Sequence, residues 1–499
     1  MTGSNDARVV VIALDAMELT VFEHLLEVGS LPNLARFARE AGRATVRSDG
    51  DTLHGSLWPT FATGANPGFH GMYFWTQWME EEMGYARNSH PALTITPFWD
   101  ALAESGVPLT IIDPPYVPLV RRPGVLQVNA WGTHDEIEPA SWPAGYGTSF
   151  RKRFGKHPLE FDTVEPHGLK EKLAMVASLG RGVDMRAQAI GTLLRERRGS
   201  GFFLCAFGET HKAGHYLAAP QQLSGTATNV SAIGDILRPL DDAWPEIIDA
   251  AGPDAHIVLL ALHGMVEQVD YSGGLGNQLL ALALGKKPEA AVAAPDALRR
   301  LRDLMPDSVH RAIWRRLPGP LRAARQGALS SIGGDLAHDP VFRIAHDGHL
   351  GLRMNLEGRE RDGRFGPGEA EAALARLAGL AAECKAPDGQ PAFESLLRIG
   401  GRFAGPRAHR LPDALLLATP TVHRATTILG PEGRELANHD PEARNGIHTG
   451  RGFVFMRGAS GSTASLARTE VDNRDFAPSL LSLYGVPSQR HHEGTVFFG

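Results

Sequence analysis

The chain has little cysteine, no long apolar run and no strong excess of charge. Only two of its 499 residues are cysteines, Cys205 and Cys384, which are too few for a disulfide framework or a thiolate zinc site. The formal net charge of −6 gives no general reason to expect a nucleic-acid polymer or a membrane as partner. Apolar runs stay well short of the roughly 18–20 residues of a membrane span. We therefore expect any metal to be held by His, Asp and Glu.

The N-terminus also lacks a secretory signal, because its apolar run at Val9–Leu14 is short and ends on the acidic Asp15. Together with the low cysteine content, this predicts a cytoplasmic protein. The length is sufficient for two or three domains, or for one large α/β domain with an insert. Nothing in the sequence predicts an oligomeric state.

Apolar runs alternate along the chain with segments of helical periodicity. The pattern of buried parallel strands occurs at Val9–Asp15, Val107–Asp113, Gly201–Glu209 and His256–Met265. Helical spacing of apolar residues occurs between them, at Leu31–Gly42, Thr96–Gly106 and Ala232–Ala251. This alternation predicts an α/β fold with a doubly wound, mainly parallel sheet and helices on both faces.

One segment, residues 285–345, departs from the alternation because it is rich in Arg, Ala and Leu. We predict that it forms a helical insert or cap, whose basic side either faces solvent or covers an anionic substrate. Residues 1–284 and 346–499 are predicted to form the α/β domain, including apolar runs at Leu350–Leu356 and Asp413–Thr419.

Polar residues end several of the predicted strands. In open α/β sheets, ligands bind outside the carboxyl ends of the strands. A lone aspartate there is often a helix cap and a lone histidine is often a surface residue, but several together would converge on one site. His211 and His215 also have the four-residue spacing that places two side chains on one side of a helix. The predicted metal ligands are Asp15, His211, His215, His263 and His448.

The segment DTLHGSLWPTFATGANPGFHG, residues 51–71, places polar side chains before a predicted short helix. This helix spans Leu57–Thr63 and stops at Gly64. Thr52, His54 and Ser56 precede or begin it. Ser56 is a candidate N-cap and also a candidate nucleophile, and the two roles do not exclude each other.

Several blocks of the sequence resemble the alkaline phosphatase superfamily, in particular its type I phosphodiesterase/nucleotide pyrophosphatase branch. The blocks are VVVIALDAME, LPNLARFAREAG, WPTFATGANPGFHG, GETHKAGHYL, LLALHGM and GIHTGRGFVFMRG. The most specific is the Thr-Gly-x-x-Pro-x-x-His-Gly motif at Thr63–Gly71. The resemblance implies a two-metal hydrolase of phosphate esters, usually with zinc. It implies His211, His215 and His448 for one metal, and Asp15 and His263 with the nucleophile for the other.

Two metal-binding positions differ from the family pattern. His211 stands where the family has an aspartate, which makes the first site a three-histidine site. Leu262 stands where the family has an aspartate before His263, so the second site lacks a carboxylate. Glu209, Glu267 or a water would have to replace it.

The nucleophile position also differs. The family's nucleophile lies nine residues before Thr63, where this chain has His54. The candidates for the nucleophile are therefore Ser56 first, Thr52 second and His54 third.

These patterns predict a phosphodiesterase or nucleotide pyrophosphatase that acts on a small phosphorylated or nucleotide-like substrate through a Ser or Thr phospho-enzyme. The cofactor is expected to be zinc, in one or two sites, with manganese or iron as alternatives. Phosphomutase, phosphonate hydrolase and sulfatase-like activities are alternatives within the superfamily. A non-catalytic metal- or ligand-binding protein on the same scaffold is a further alternative, favoured by Leu262 and His54.

Overall fold

A computed structural model describes residues 7–87, 93–133, 139–160, 166, 168–199, 201–218, 222–224, 227–267, 272–287, 338–346, 348–419, 427–437, 445–463 and 466–498. The chain divides into two compact units. Unit 1 comprises Met1–His70, Ser89–Glu267 and Asn445–Gly499, and unit 2 comprises Gly71–Asn88 and Gln268–Arg444. Most of the predicted insert, residues 288–337, lies outside the described residues, so its helical nature stays a prediction.

The strands and helices are numbered in chain order. The strands are β1 Arg8–Leu14, β2 Gly42–Arg47, β3 Thr76–Met79, β4 Gly84–Arg87, β5 Leu109–Ile112, β6 Val125–Asn129, β7 Ala140–Trp142, β8 Gly201–Phe207, β9 Gln222–Ser224, β10 Ala227–Thr228, β11 Ala255–Ala261, β12 Gly264–Glu267, β13 Val341–Ile344, β14 Leu350–Met354, β15 Phe393–Arg398, β16 Ala414–Ala418, β17 Thr427–Leu429, β18 Glu435–Ala437, β19 Gly446–Thr449, β20 Arg451–Arg457 and β21 Glu470–Asp472. The helices are α1 Leu19–Glu27, α2 Pro32–Glu40, α3 Leu57–Thr63, α4 Pro67–His70, α5 Trp99–Glu104, α6 Tyr146–Phe154, α7 Leu169–Glu196, α8 Gly208–Leu217, α9 Asn229–Ala251, α10 Asn277–Ala283, α11 Pro367–Glu383 and α12 Phe476–Ser482.

Unit 1 is built on a nine-stranded sheet in the order β21-β2-β20-β11-β1-β8-β5-β6-β7. The central strands β11, β1, β8, β5 and β6 run parallel to one another. Strand β20 is antiparallel to both β2 and β11, and β7 is antiparallel to β6. The predicted α/β fold with a mainly parallel sheet is confirmed.

Helices cover both faces of this sheet, as the alternation along β20 illustrates. Phe453 stacks on Phe22 of α1, with ring centroids 4.8 Å apart. The next residue, Val454, belongs instead to a buried cluster with Phe61 of α3 and Leu480 of α12. Because successive side chains of a strand point to opposite faces, α1 lies on one face and α3 and α12 lie on the other.

Unit 2 has a separate four-stranded antiparallel sheet in the order β13-β14-β16-β15. Its core joins residues of β14 and β16 to α10 and α11, among them Leu352, Leu416, Leu279 and Leu374. The runs predicted at residues 350–356 and 413–419 form β14 and β16 here, and not further strands of the large sheet. An apolar run predicts a strand but carries no information on which sheet it joins.

Within the described residues, no helix combines the length and the apolar character that a membrane span requires.

Candidate metal centre

Asp15 follows the central strand β1 at the carboxyl edge of the parallel sheet. Strands β11 and β8 pair with β1 in parallel register, so the carboxyl ends of all three strands meet beside Asp15. Ala16 has a φ of +57°, in the left-handed region, and this conformation ends the strand directly after the carboxylate. The Asp15 side chain is buried.

Trp58 of α3 also holds Asp15 in place. Its indole Nε1–H donates to Asp15 Oδ1 at 2.9 Å. The sequence analysis missed this contact, because a tryptophan in an apolar helix is typical of core packing. The bond connects the helix that follows the candidate nucleophiles to the carboxylate at the sheet edge.

His211 and His215 lie one turn apart on α8, which begins directly after β8. His211 Nδ1 lies 2.8 Å from Asp15 Oδ2, and His215 Nδ1 lies 3.1 Å from the carbonyl oxygen of Gly446. Since both partners are acceptors, each Nδ1 carries the hydrogen and donates it. In neutral rings, the lone pairs are therefore on the Nε2 atoms.

These two Nε2 atoms face each other at a distance of 3.1 Å. Two lone pairs this close repel each other unless a proton or a metal ion lies between them. Two nitrogen ligands of a tetrahedral zinc ion, each 2.0–2.1 Å from the metal, are about 3.3 Å apart. The two histidines therefore fit a shared metal ion.

His448 completes the cluster from β19. Strand β19 pairs with β12, which follows His263, and Gly446 in it approaches α8 closely. A Cβ atom at Gly446 would lie 1.9 Å from the carbonyl oxygen of Gly214, so only glycine permits this approach. The ligand atoms of His211, His215 and His448 all lie within 4.8 Å of one another.

His263 lies beside this group of three histidines. Its Nδ1 is 3.3 Å from His448 Nδ1, and its Nε2 is 3.4 Å from Asp15 Oδ1. The structure thus brings together all five predicted metal ligands. Asp15 and His263 are outside the convergent group of three, and their role as ligands of a second metal stays a prediction.

Burial and neighbouring charges favour ligand-competent forms of these residues. Burial, with the neighbouring histidines His54, His211, His263 and His215, lowers the pKa of His448 well below its usual value. Burial acts to raise the pKa of Asp15, but His211 and His263 outweigh it and hold this pKa well below its usual value. A neutral imidazole beside an ionised carboxylate is a common arrangement in zinc sites.

The three candidate nucleophiles lie in different surroundings. The His54 ring stacks on His448, with centroids 4.3 Å apart and an interplanar angle of 12°. Thr52 is buried, and its Oγ1 lies 3.4 Å from the Asp49 carbonyl oxygen. Of the three, His54 has a ring contact with the histidine cluster.

Ser56 precedes α3, whose predicted bounds and stop at Gly64 (φ +62°) are confirmed. The alternative of a plain N-cap is wrong, because Ser56 has helical dihedral angles and its side chain makes no capping hydrogen bond. Its Oγ is buried and has no hydrogen-bond partner within the described structure. The hydroxyl is therefore not used in capping.

The structure shows the surroundings of Leu262, which stands in place of the family's aspartate, and of Glu209 and Glu267, which were considered as its replacements. Leu262 directly follows β11 and lies in the hydrophobic core of unit 1, in the same cluster as Val258 and Leu260. Glu209 does not replace the family's aspartate, since both of its oxygens accept hydrogen bonds from Arg186. Glu267 ends β12 opposite Gly446, three residues beyond Gly264.

A mainly parallel sheet with a histidine cluster at the carboxyl edge of its central strands is typical of the alkaline phosphatase superfamily. Residues 9–447 match the model of the type I phosphodiesterase / nucleotide pyrophosphatase family, and the chain belongs to this family. The predicted resemblance is confirmed. A comparison with curated proteins finds no matching sequence.

Solved structures with the same fold include murine ectonucleotide pyrophosphatase / phosphodiesterase 5. Its inactive variant in complex with AMP is 12% identical, with a TM-score of 0.51 over 98% of this chain and 97% of that chain. A second structure of the murine protein is 11% identical, with the same TM-score and coverage. Phosphonoacetate hydrolase from Sinorhizobium meliloti, in complex with phosphonoformate, is 15% identical, with a TM-score of 0.45 over 96% of this chain and 95% of that chain. At these identities the likeness to the murine protein shows the fold.

Proposed function

We propose that this chain is a metal-dependent hydrolase of phosphate esters that acts on phosphodiesters or nucleotide pyrophosphates. The observation that carries the proposal is the convergence of His211, His215 and His448, with the Nε2 atoms of His211 and His215 only 3.1 Å apart. In a member of this family, three convergent histidines support a metal centre for phosphoryl chemistry. AMP, which the murine protein of the same fold binds, represents the small nucleotide-like ligand that we expect.

The donor set supports zinc, because neutral imidazoles suit this ion, with manganese or iron as alternatives. A zinc ion held by His211, His215 and His448 would supply Lewis-acid stabilisation of the negative charge on the phosphoryl oxygens. Asp15 orients His211 through the bond to its Nδ1, and the carbonyl of Gly446 does the same for His215. Zinc and a cytoplasmic location stay predictions.

The proposed reaction has two steps, with Ser56 as the first candidate nucleophile and Thr52 as the second. The hydroxyl oxygen forms a bond to phosphorus, the bond from phosphorus to the leaving oxygen breaks, and the hydroxyl proton passes to the leaving group. The oxygen of a water molecule then forms a bond to phosphorus, the bond from phosphorus to the side-chain oxygen breaks, a proton of the water restores the hydroxyl, and a phosphomonoester is released. The buried, unpartnered Oγ of Ser56 supports its first place.

Metal content and turnover test the proposal together. We expect the purified chain to contain zinc and to hydrolyse bis-p-nitrophenyl phosphate. His215→Ala and His448→Ala should each lose bound metal and turnover while keeping the far-ultraviolet circular dichroism of the folded chain. His24→Ala, at an exposed histidine of α1 in the same unit, is the control and should keep both.

Absence of turnover on monoesters and diesters with zinc, manganese and iron would contradict the hydrolase. If metal binding persisted in that case, the alternative of a non-catalytic metal-binding protein, consistent with Leu262 in the core, would be supported. Full metal retention in both histidine variants would show that the ligand set is wrong.

A further inference from the structure

A second buried polar cluster lies next to the histidines, on the same edge of the sheet. We call it the Arg186 cluster. Its members are at most 1% exposed: Arg186, Glu209, Asp113 and His157. Asp113 follows β5 and Glu209 follows β8, while the histidine cluster lies over the ends of β11, β1 and β8. The two clusters are therefore neighbours that share the end of β8.

Arg186, on α7, joins three other segments of unit 1. Its Nε lies 2.9 Å and 3.0 Å from the two carboxylate oxygens of Glu209, in the first turn of α8. Its Nη1 donates to Asp113 Oδ2 at 2.8 Å, and its Nη2 donates to the carbonyl oxygen of Gly132, after β6, at 2.5 Å. One guanidinium thus connects α7, α8 and the loops after β5 and β6.

The carboxylates of the cluster have further partners. The backbone N–H groups of Trp131 and Gly132 donate to Asp113 at 2.7 Å and 2.8 Å. His157 accepts from the Leu159 N–H at Nδ1, at 3.1 Å, so its Nε2 carries the hydrogen that it donates to Glu209, at 2.9 Å. A buried network in which the members are satisfied in this way is rigid and costly to disturb.

Two glycines make room for the Arg186 cluster. A Cβ atom at Gly132 would lie 2.4 Å from Arg186 Nη2 and 2.5 Å from His157 Nδ1. A Cβ atom at Gly182 would lie 2.8 Å from the His157 ring and 3.0 Å from Glu209 Oε1. The backbone around the cluster is therefore fitted to these side chains.

Helix α8 is the element that the two clusters share. Glu209 and His211 are two residues apart, and side chains at this spacing do not face the same side of a helix. Glu209 therefore fixes one side of the first turn of α8 in the Arg186 cluster, while His211 projects from the other side to Asp15 and His215.

We infer that Arg186 and Glu209 are positioning residues, which fix the start of helix α8 so that the Nε2 atoms of His211 and His215 converge on one ion. The inference rests on the proposed function, since it requires that these histidines bind a metal. Groups that hydrogen-bond directly to metal ligands are worth about 10–100-fold in metal affinity. Arg186 and Glu209 act one step further out, through the helix that carries two of the ligands, so we expect an effect at the lower end of that range. The alternative is a cluster that contributes only to the stability of unit 1.

Substitution Glu209→Gln separates these two roles, because it keeps the size of the side chain and removes its charge. We expect the dissociation constant for zinc, measured by competition with a chromogenic chelator, to rise by about tenfold. The control is Asp241→Asn on α9, a buried carboxylate that accepts from the backbone N–H groups of Asn33 and Leu34. It should lower the Tm of the metal-free protein and leave the zinc dissociation constant unchanged.

A wild-type dissociation constant in Glu209→Gln, with a lowered Tm in both variants, would overturn the inference and leave the proposed function intact. A wild-type chain that binds no zinc would overturn the proposed function, and this inference with it. If Glu209→Gln does not fold, Glu209→Asp keeps the charge and shortens the reach by one methylene. Its zinc dissociation constant should also rise, and an unchanged value there would equally overturn the inference.

Discussion

The hydroxyl of Ser56 is buried, and in the described part of the chain its oxygen has no hydrogen-bond partner. Such a group adds no hydrogen bond to the folded state but has lost its hydration, so it destabilises the fold. We expect Ser56→Ala to keep the free energy of unfolding in urea or to raise it, by up to about 1 kcal/mol. We expect its turnover of bis-p-nitrophenyl phosphate to fall by about a thousandfold or more.

Thr52→Val is the matched comparison for this substitution, since Thr52 is also buried but its hydroxyl contacts a backbone carbonyl. It should lower the stability and leave most of the turnover. The reverse result, with turnover lost in Thr52→Val alone, would identify Thr52 as the nucleophile. If neither variant lost turnover, His54 would become the candidate, and an acid-labile phospho-enzyme would identify it.

At the level of single residues, the sequence predicted which side chains gather at the sheet edge but not what each one contacts. Asp15, His211, His215 and His263 were found from their positions at the ends of predicted strands, and His448 from its glycine-rich turn before the next apolar run. The contacts of His54 and Ser56 were not predictable, because successive residues of a 3-10 turn differ in direction by about 120°. Whether that turn precedes α3 is decided by packing, and so is the bond from Trp58 to Asp15.

At the level of elements, Gly64 ends α3 in a left-handed conformation and lies in a crowded place. A Cβ atom there would lie 2.9 Å from Ala477 Cβ and 2.9 Å from the His492 ring. Gly29, just after α1, has a similar φ of +75° but no atom within 4 Å of such a Cβ. A comparison of alanine substitutions at these two positions therefore separates the cost of backbone strain from the cost of crowding.

We expect Gly29→Ala to lower the free energy of unfolding by about 1–2 kcal/mol, the cost of a left-handed residue with a side chain. Gly64→Ala should cost about 1–3 kcal/mol more, because the neighbours must also move. Urea unfolding of both variants measures the difference. Equal losses in the two variants would show that the C-terminal segment around His492 moves away from Gly64 without cost.

The sequence located elements better than it located their ends and partners. The predicted run at residues 256–265 is divided into β11 and β12, with His263 between them. Strand β12 pairs with β19 outside the large sheet, and a Cβ atom at Gly264 would lie 2.0 Å from Glu18 Oε2, so only glycine fits where the chain passes Glu18. The antiparallel direction of β20 was not predicted, because an apolar run has no directional signal.

At the level of the whole molecule, the alternation of apolar runs with helical segments predicted the α/β fold class but not the division of the chain into units. Strands β14 and β16 form their own antiparallel sheet and core in unit 2. Their apolar runs do not differ in pattern from those of the large sheet, so local patterns alone assigned them to the α/β domain. Long-range pairing decides such assignments, and a single sequence does not show it.

The candidate metal centre joins parts of unit 1 that are far apart in the chain, since His215 lies on α8 and His448 on β19. An ion bound by both in the folded state, and by neither in the unfolded chain, must stabilise the fold. Free zinc at about 100 times its dissociation constant should raise the free energy of unfolding by about 2.7 kcal/mol. His215→Ala should lose most of this gain, because one of three ligands is gone, whereas the exposed His24→Ala should keep it. Thermal unfolding with a zinc buffer measures the effect, and an equal rise of Tm in His215→Ala would mean that zinc stabilises the chain at some other place.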